Sequence, residues 1–172
     1  MDTMTTATAT LSHTVIDSPV GPLTLVARDG VLSGLYMSLQ RHRPQEEVFG
    51  PSDPAGFEAV TEQLRGYFAG ELTEFDLTLA PEGTPFQQRV WRALREIPYG
   101  ETESYGGLAA RIGAPGAARA VGLANGRNPI SIVVPCHRVV GASGSLTGYG
   151  GGLERKQQLL DLERRVVGSA LF

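Results

Sequence analysis

With 172 residues, 41% of them hydrophobic and a formal net charge of −3, the chain can bury the core of one large globular unit or two small ones. No run approaches the roughly 20 apolar residues needed to cross a bilayer, and residues 1–10 lack the basic and apolar regions of a secretory signal, so a cytoplasmic location without membrane partners is expected. A single cysteine, Cys136, excludes an internal disulfide, and with only His13, His42 and His137 beside it there is no soft four-ligand set for structural zinc; neither metal nor cofactor is expected.

The charge is unevenly divided. Residues 1–84 hold four arginines against twelve acids, a net of −8, while residues 85–172 hold eleven Lys and Arg against six acids, a net of +5. The second half is therefore the candidate for touching DNA phosphates, although a solvated basic face would show the same asymmetry.

Residues 1–11, rich in Thr and Ala, read as a disordered leader. Short β-like runs follow at residues 13–16, 23–27 and 31–37, separated by Ser18-Pro19-Val20-Gly21 and by Asp29-Gly30, a strong tight-turn signal. They predict a three-stranded antiparallel sheet. Residues 38–55 are polar and read as a long loop, after which Phe57, Val60, Leu64 and Phe68 recur at helical spacing until Gly70. Phe75, Leu77 and Leu79 then alternate as in a strand. Pro81-Glu82-Gly83 coincides with the charge division and is read as the boundary between an amino-terminal α/β domain, residues 12–83, and a second domain, residues 84–172.

The second half opens on a helix start: Thr84 can cap, Pro85 suits the first helical position and Gln87 can complete a capping box. Phe86, Val90, Leu94 and Ile97 mark its buried stripe, and Pro98-Tyr99-Gly100 ends it. Ser104 can cap a short helix through Ile112, and after Gly113-Ala114-Pro115 a second helix runs over about residues 116–125, a pairing that resembles a helix-turn-helix. The fold class is thus α/β in the α+β sense, a small sheet-and-helix domain followed by a mostly helical, winged helix-turn-helix-like one. The second of these helices is nearly bare of large side chains, which suits either close helix packing or close approach to a ligand, and from it Arg119 projects as a lone cation fit for insertion into DNA.

The chemistry concentrates at Pro135, Cys136, His137 and Arg138. A lone cysteine is by default a small buried hydrophobe, but a thiol becomes a strong nucleophile as thiolate, and here a base and a cation follow it directly. Adjacent side chains diverge in extended chain, so a bridging water is the expected proton path from sulfur to imidazole. A carboxylate should orient the histidine, and Glu154, Asp161 and Glu163 on a predicted helix over residues 153–165 are all candidates. Between them lie residues 141–152, six of the twelve glycine: a wing, a ligand-facing loop, or plain surface disorder.

Residues 134–140 (Val-Pro-Cys-His-Arg-Val-Val), preceded by Ala118-Arg-Ala-Val-Gly122 and Asn128-Pro129 and followed by Gly148-Tyr-Gly-Gly-Gly-Leu153, closely resemble the O6-alkylguanine-DNA alkyltransferases over almost all of residues 84–165. More loosely, the Ser18-Pro-Val-Gly-Pro-Leu23 turn and Tyr67-Phe-Ala-Gly70 resemble that family's amino-terminal domain. The resemblance implies that Cys136 accepts the alkyl group, that His137 is a base acting through water, that Glu163 orients it, and that Tyr105 donates a hydrogen bond to the guanine ring. It implies that Asn128 fixes the turn around the nucleophile and that Arg119 fills the space of an extruded nucleotide, on a recognition helix whose Ala120, Gly122 and Asn125 also meet DNA. Val139, Leu146, Tyr149, Gly150 and Gly151 would line the alkyl pocket. The implied partner is double-stranded DNA bearing O6-alkylguanine, bound in the minor groove with little sequence preference by a monomer, with cooperative binding left open. The zinc ligands of some relatives are missing. A thioether gives water no carbonyl to attack, so each molecule would act once. The competing readings are a cysteine hydrolase built on Cys136, His137 and Glu163, and a DNA-binding module whose cysteine is structural.

Overall fold

In a computed structural model the chain is described over residues 9–169; most of the expected leader, residues 1–8, lies outside this range. The amino-terminal half is built on an antiparallel sheet of β1 (Leu11–Ile16), β2 (Leu23–Arg28) and β3 (Val31–Met37), in that order. β1 begins at Leu11, at the end of the stretch read as leader. The β2–β3 turn follows from Asp29-Gly30: both residues have positive φ, 51° and 79°, and Arg28 pairs with Val31 across them.

The polar stretch after β3 is not free loop. It contains a 3-10 turn, Glu46–Phe49, whose Phe49 packs with Val26 and Tyr36, and its far end pairs with β1 through His13 and residues 51–53. Helix α1 (Glu58–Phe68) then lays Val60, Leu64 and Tyr67 into the core. The strand expected at Phe75, Leu77 and Leu79 is reduced to a single bridge between Leu79 and Leu32. Gln63 explains the loss, because its side-chain amide bonds both the N–H and the C=O of Asp76 and so satisfies the backbone groups that a neighbouring strand would have met.

Helix α2 (Pro85–Leu94) carries the full capping box: Thr84 Oγ1 accepts from Gln87 N, and Gln87 Oε1 accepts from Thr84 N. After the two-residue strand β4 (Glu103–Ser104), Ser104 caps helix α3 (Tyr105–Arg111), and the turn leads into α4 (Ala118–Gly126). These three helices pack together, with Trp91 of α2 donating to the Ala124 carbonyl of α4 at 2.8 Å. A 3-10 turn (Cys136–Arg138) and strand β5 (Val139–Val140), paired in parallel with β4, precede the last helix, α5 (Leu153–Ser169), which runs four residues past its expected end. Among the described residues no helix is long and apolar enough to cross a membrane.

Both halves meet on one buried carboxylate. Glu163 of α5 accepts from Tyr67 Oη of α1 (2.7 Å), His137 Nε2 (2.7 Å), Arg138 Nε and Nη2 (2.9 and 3.0 Å) and the Gly100 amide (3.2 Å). Arg138 also donates to the Ile97 carbonyl and lies over the Tyr99 ring. Burial alone would raise the Glu163 pKa, but its donors, His137 first and then the Arg138 guanidinium, hold it well below its ordinary value near 4.5.

Removing this charge leaves Arg138 buried without its partner, so Glu163→Gln should cost about 3–5 kcal/mol at neutral pH. The folded carboxylate resists protonation that the unfolded one accepts, so its contribution is full above pH 4.5 and is lost as pH falls below that value. Urea midpoints of wild type and Glu163→Gln measured from neutral to acid pH should therefore converge as pH falls; parallel curves would contradict this account of the carboxylate.

Candidate active site

Cys136 sits at the start of its 3-10 turn, 5% exposed, with its amide donating to Val134 O at 2.8 Å. The turn before it is held by Asn128, whose Nδ2 donates to Val134 O (2.8 Å) and whose Oδ1 accepts from Ile130 N (3.0 Å). This segment is docked on the sheet, since Leu35 N donates to Pro129 O and Leu35 O accepts from Ser131 N. Inside it, Ile132 is buried at φ 73°, a conformation that a β-branched residue adopts only under constraint. Asn128 thus stands where a turn-fixing residue was expected.

His137 is fully buried, and of the three candidate carboxylates it meets Glu163; Glu154 and Asp161 are exposed on α5. With Nε2 committed to Glu163, Nδ1 has no hydrogen-bond partner among the described residues. The 3-10 turn replaces the extended chain expected here. Burial lowers the His137 pKa more than Glu163 raises it, so the resting imidazole is neutral and Nδ1 is its proton acceptor.

The expected acidifying role of Arg138 is corrected by the geometry, because its guanidinium is spent on Glu163 and Ile97. Burial pushes the Cys136 thiol up, and the cation that opposes this is Lys156 of α5. Lys156 is fully buried, donates to Val139 O (2.6 Å) and Thr147 O (2.8 Å), and is held down to about 8 by desolvation. Neither Lys156 nor Tyr67 was assigned to the site from the sequence, Tyr67 being named only within the Tyr67-Phe-Ala-Gly70 helix end: a buried lysine at a helix start looks like any surface lysine, and Tyr67 reaches Glu163 across 96 residues of chain.

Tyr105, at the first position of α3, donates to the Thr147 carbonyl of the glycine-rich loop at 3.3 Å and packs beside Gly122 of α4. A β-carbon at Gly122 would lie 3.6 Å from the Tyr105 ring, an ordinary van der Waals contact, so the Tyr105 packing does not itself require glycine there. Tyr149 has its hydroxyl buried without a hydrogen-bond partner among the described residues, and Gly151 lies wedged between the Tyr149 ring and Met37 Sδ, where a β-carbon would come within 2.5 Å of the sulfur. Gly150 receives the Arg41 amide on its carbonyl, Val139 is buried beside the nucleophile, and Leu146 is half-buried.

Arg119 and Ala120 share an exposed face of α4. Asn125, expected there too, is not on it: it is 3% exposed and its Nδ2 faces the Cys136 carbonyl at 3.4 Å, because packing of α4 on Trp91 turns that position inward. The outward position on that turn is Leu123, 71% exposed. Among the described residues no group of three or more His, Cys, Asp or Glu could hold a metal ion.

Residues 85–165 match the family described as 6-O-methylguanine DNA methyltransferase, DNA binding domain, and residues 11–81 match 6-O-methylguanine DNA methyltransferase, ribonuclease-like domain. A methylated-DNA--protein-cysteine methyltransferase of Mycobacterium tuberculosis is 61% identical over 154 residues, 90% of this chain and 93% of the relative. One from Methanosarcina acetivorans is 51% identical over 153 residues, 88% of this chain and 97% of the relative. The crystal structure of Mycobacterium tuberculosis OGT in complex with DNA superposes with a TM-score of 0.86 at 61% identity, covering 90% of this chain and 94% of that one. The chain belongs to the 6-O-methylguanine DNA methyltransferase family.

Proposed function

We propose that this protein repairs DNA by direct reversal, moving the alkyl group of O6-alkylguanine onto Cys136. The observation that carries the reading is a buried sulfur next in sequence to a neutral histidine whose far nitrogen is fixed on a buried carboxylate. In the proposed step Cys136 Sγ attacks the alkyl carbon, an S–C bond forms, and the C–O6 bond breaks. The thiol proton passes through a water molecule to His137 Nδ1, leaving an imidazolium that Glu163 stabilises. The guanine leaves as an anion, and Tyr105 Oη, released from the Thr147 carbonyl, donates to its ring. Lys156 favours the thiolate as it forms.

A base inside a duplex cannot reach a sulfur this deeply buried, so the nucleotide is extruded and Arg119 takes its place. Exposed Arg119 and Ala120 on a helix with few large side chains support entry of α4 into the minor groove, where reading is degenerate and sequence preference small. Val139, Leu146, Tyr149, Gly150 and Gly151 form the alkyl pocket. The protein acts as a monomer. The matched regions end at residue 81 and resume at residue 85, which supports an amino-terminal domain over residues 12–83 and an alkyltransferase and DNA-binding domain over residues 84–172.

Incubating the protein with DNA containing O6-methylguanine should add one methyl group to its intact mass, on Cys136, with one lesion cleared per molecule. Cys136→Ser should abolish repair; multiple turnovers would instead indicate a hydrolase, and unchanged DNA a binding module. Arg119→Ala should slow repair in duplex DNA at least tenfold more than reaction with the free alkylated base, and equal loss for both would remove the finger assignment. A methyl group added in so closely packed a site overfills it, which costs about 1–3 kcal/mol. Methylated protein should therefore melt about 2–12 °C lower than free protein and bind DNA more weakly; equal melting temperatures would count against this.

A further inference from the structure

Helix α4 turns one large apolar side chain outward. Val121 and Ala124 are buried, whereas Leu123 is 71% exposed. A lone exposed leucine is ordinary on any protein surface, and position is what sets this one apart. Leu123 lies four residues after Arg119 and three after Ala120, so the three stack on one face of the helix. That helix carries no acidic residue, and at its flanks Gly116 and Gly126 have nothing within 4 Å of where a β-carbon would sit. The face is smooth and free of negative charge, with two projections one turn apart, a cation and a branched alkyl group.

Such a surface matches the minor groove in both respects. The cation meets the negative potential of the groove, and the alkyl group meets the apolar deoxyribose edges that form its walls. We propose that Leu123 is a DNA-binding residue that packs against the sugars one helical turn along from the nucleotide Arg119 displaces. Sugars are alike at every base pair, so the contact adds affinity without sequence preference. It also releases no counterion, and its strength is independent of salt. This inference rests on the reading that the outer face of α4 enters the groove.

The test measures binding of the full-length protein to a short fluorescent duplex across a range of salt concentrations. Leu123→Ala should weaken binding about 5- to 10-fold at every salt concentration, the loss expected from burying a methyl in place of an isobutyl group. The slope of log affinity against log salt should match wild type, and Leu123→Met should restore most of the affinity. Thermal unfolding of Leu123→Ala should coincide with wild type, since the side chain is exposed. Wild-type affinity for Leu123→Ala, with Arg119→Ala weakened, would overturn the leucine assignment and leave the face standing. Wild-type affinity for both variants would overturn the face itself. A change in the sedimentation of the DNA-free protein on Leu123→Ala would assign the leucine to contact between copies of the chain and overturn the proposal.

Discussion

Everything near the sulfur depends on the placement of one carboxylate. A buried glutamate is costly unless donors replace the water it has lost, and Glu163 receives them from four sources in both halves of the chain. Tyr67 comes from α1, Gly100 from the loop after α2, and His137 and Arg138 from the turn that carries the nucleophile. Because these bonds converge on two oxygens, the sheet-and-helix half is not an appendage to the catalytic half. Its α1 helps to orient the carboxylate that fixes the imidazole, and its β3 edge holds residues 129–131, where the turn toward Cys136 begins. The halves are coupled through the active site itself.

That arrangement sets the state of the thiol. A surface cysteine beside His and Arg would be expected to ionise readily, but here the histidine faces Glu163, the arginine is consumed by the same group, and burial pushes the thiol up. Lys156 is the remaining cation, tied to the carbonyls of Val139 and Thr147 and hence to both β5 and the glycine-rich loop. The resting protein therefore holds a protected sulfur rather than a standing thiolate. For a protein that reacts once, this is the useful condition, since a permanently ionised thiolate would be lost to stray electrophiles and oxidants.

How much of this was legible in the sequence depended on the range of the interaction. The Thr84–Gln87 box, the Ser104 cap and the Asp29-Gly30 turn are local, and each formed as read. The strand at Phe75, Leu77 and Leu79 did not form, because alternation shows which faces are apolar but not whether a partner edge is free, and Gln63 had already satisfied Asp76. Cys136 and His137 were visible as a motif, and the choice of Glu163 over Glu154 and Asp161 came from family resemblance, since local spacing left all three open. Arg138 was misread because adjacency in sequence was taken for adjacency in function. On α4 the small face was visible but its rotation was not: contact with Trp91 decides that Asn125 turns in and Leu123 turns out.

The same segment that carries the nucleophile also carries strain. Ile132 is held at positive φ in the core, at a cost of about 1–3 kcal/mol, and what holds it there is the pairing of Pro129 and Ser131 with Leu35 and the two bonds of Asn128. A turn constrained in this way has few intermediate settings. It keeps the Cys136 backbone fixed in a tightly packed site, which is why a group added to the sulfur is expected to be accommodated only at a cost. The carboxamide of Asn125 lies against the Cys136 carbonyl on the inner side of α4, and Arg119 and Leu123 lie on its outer side. One short helix thus touches the backbone of the reacting residue on its inner side and carries the surface proposed to hold DNA on its outer side.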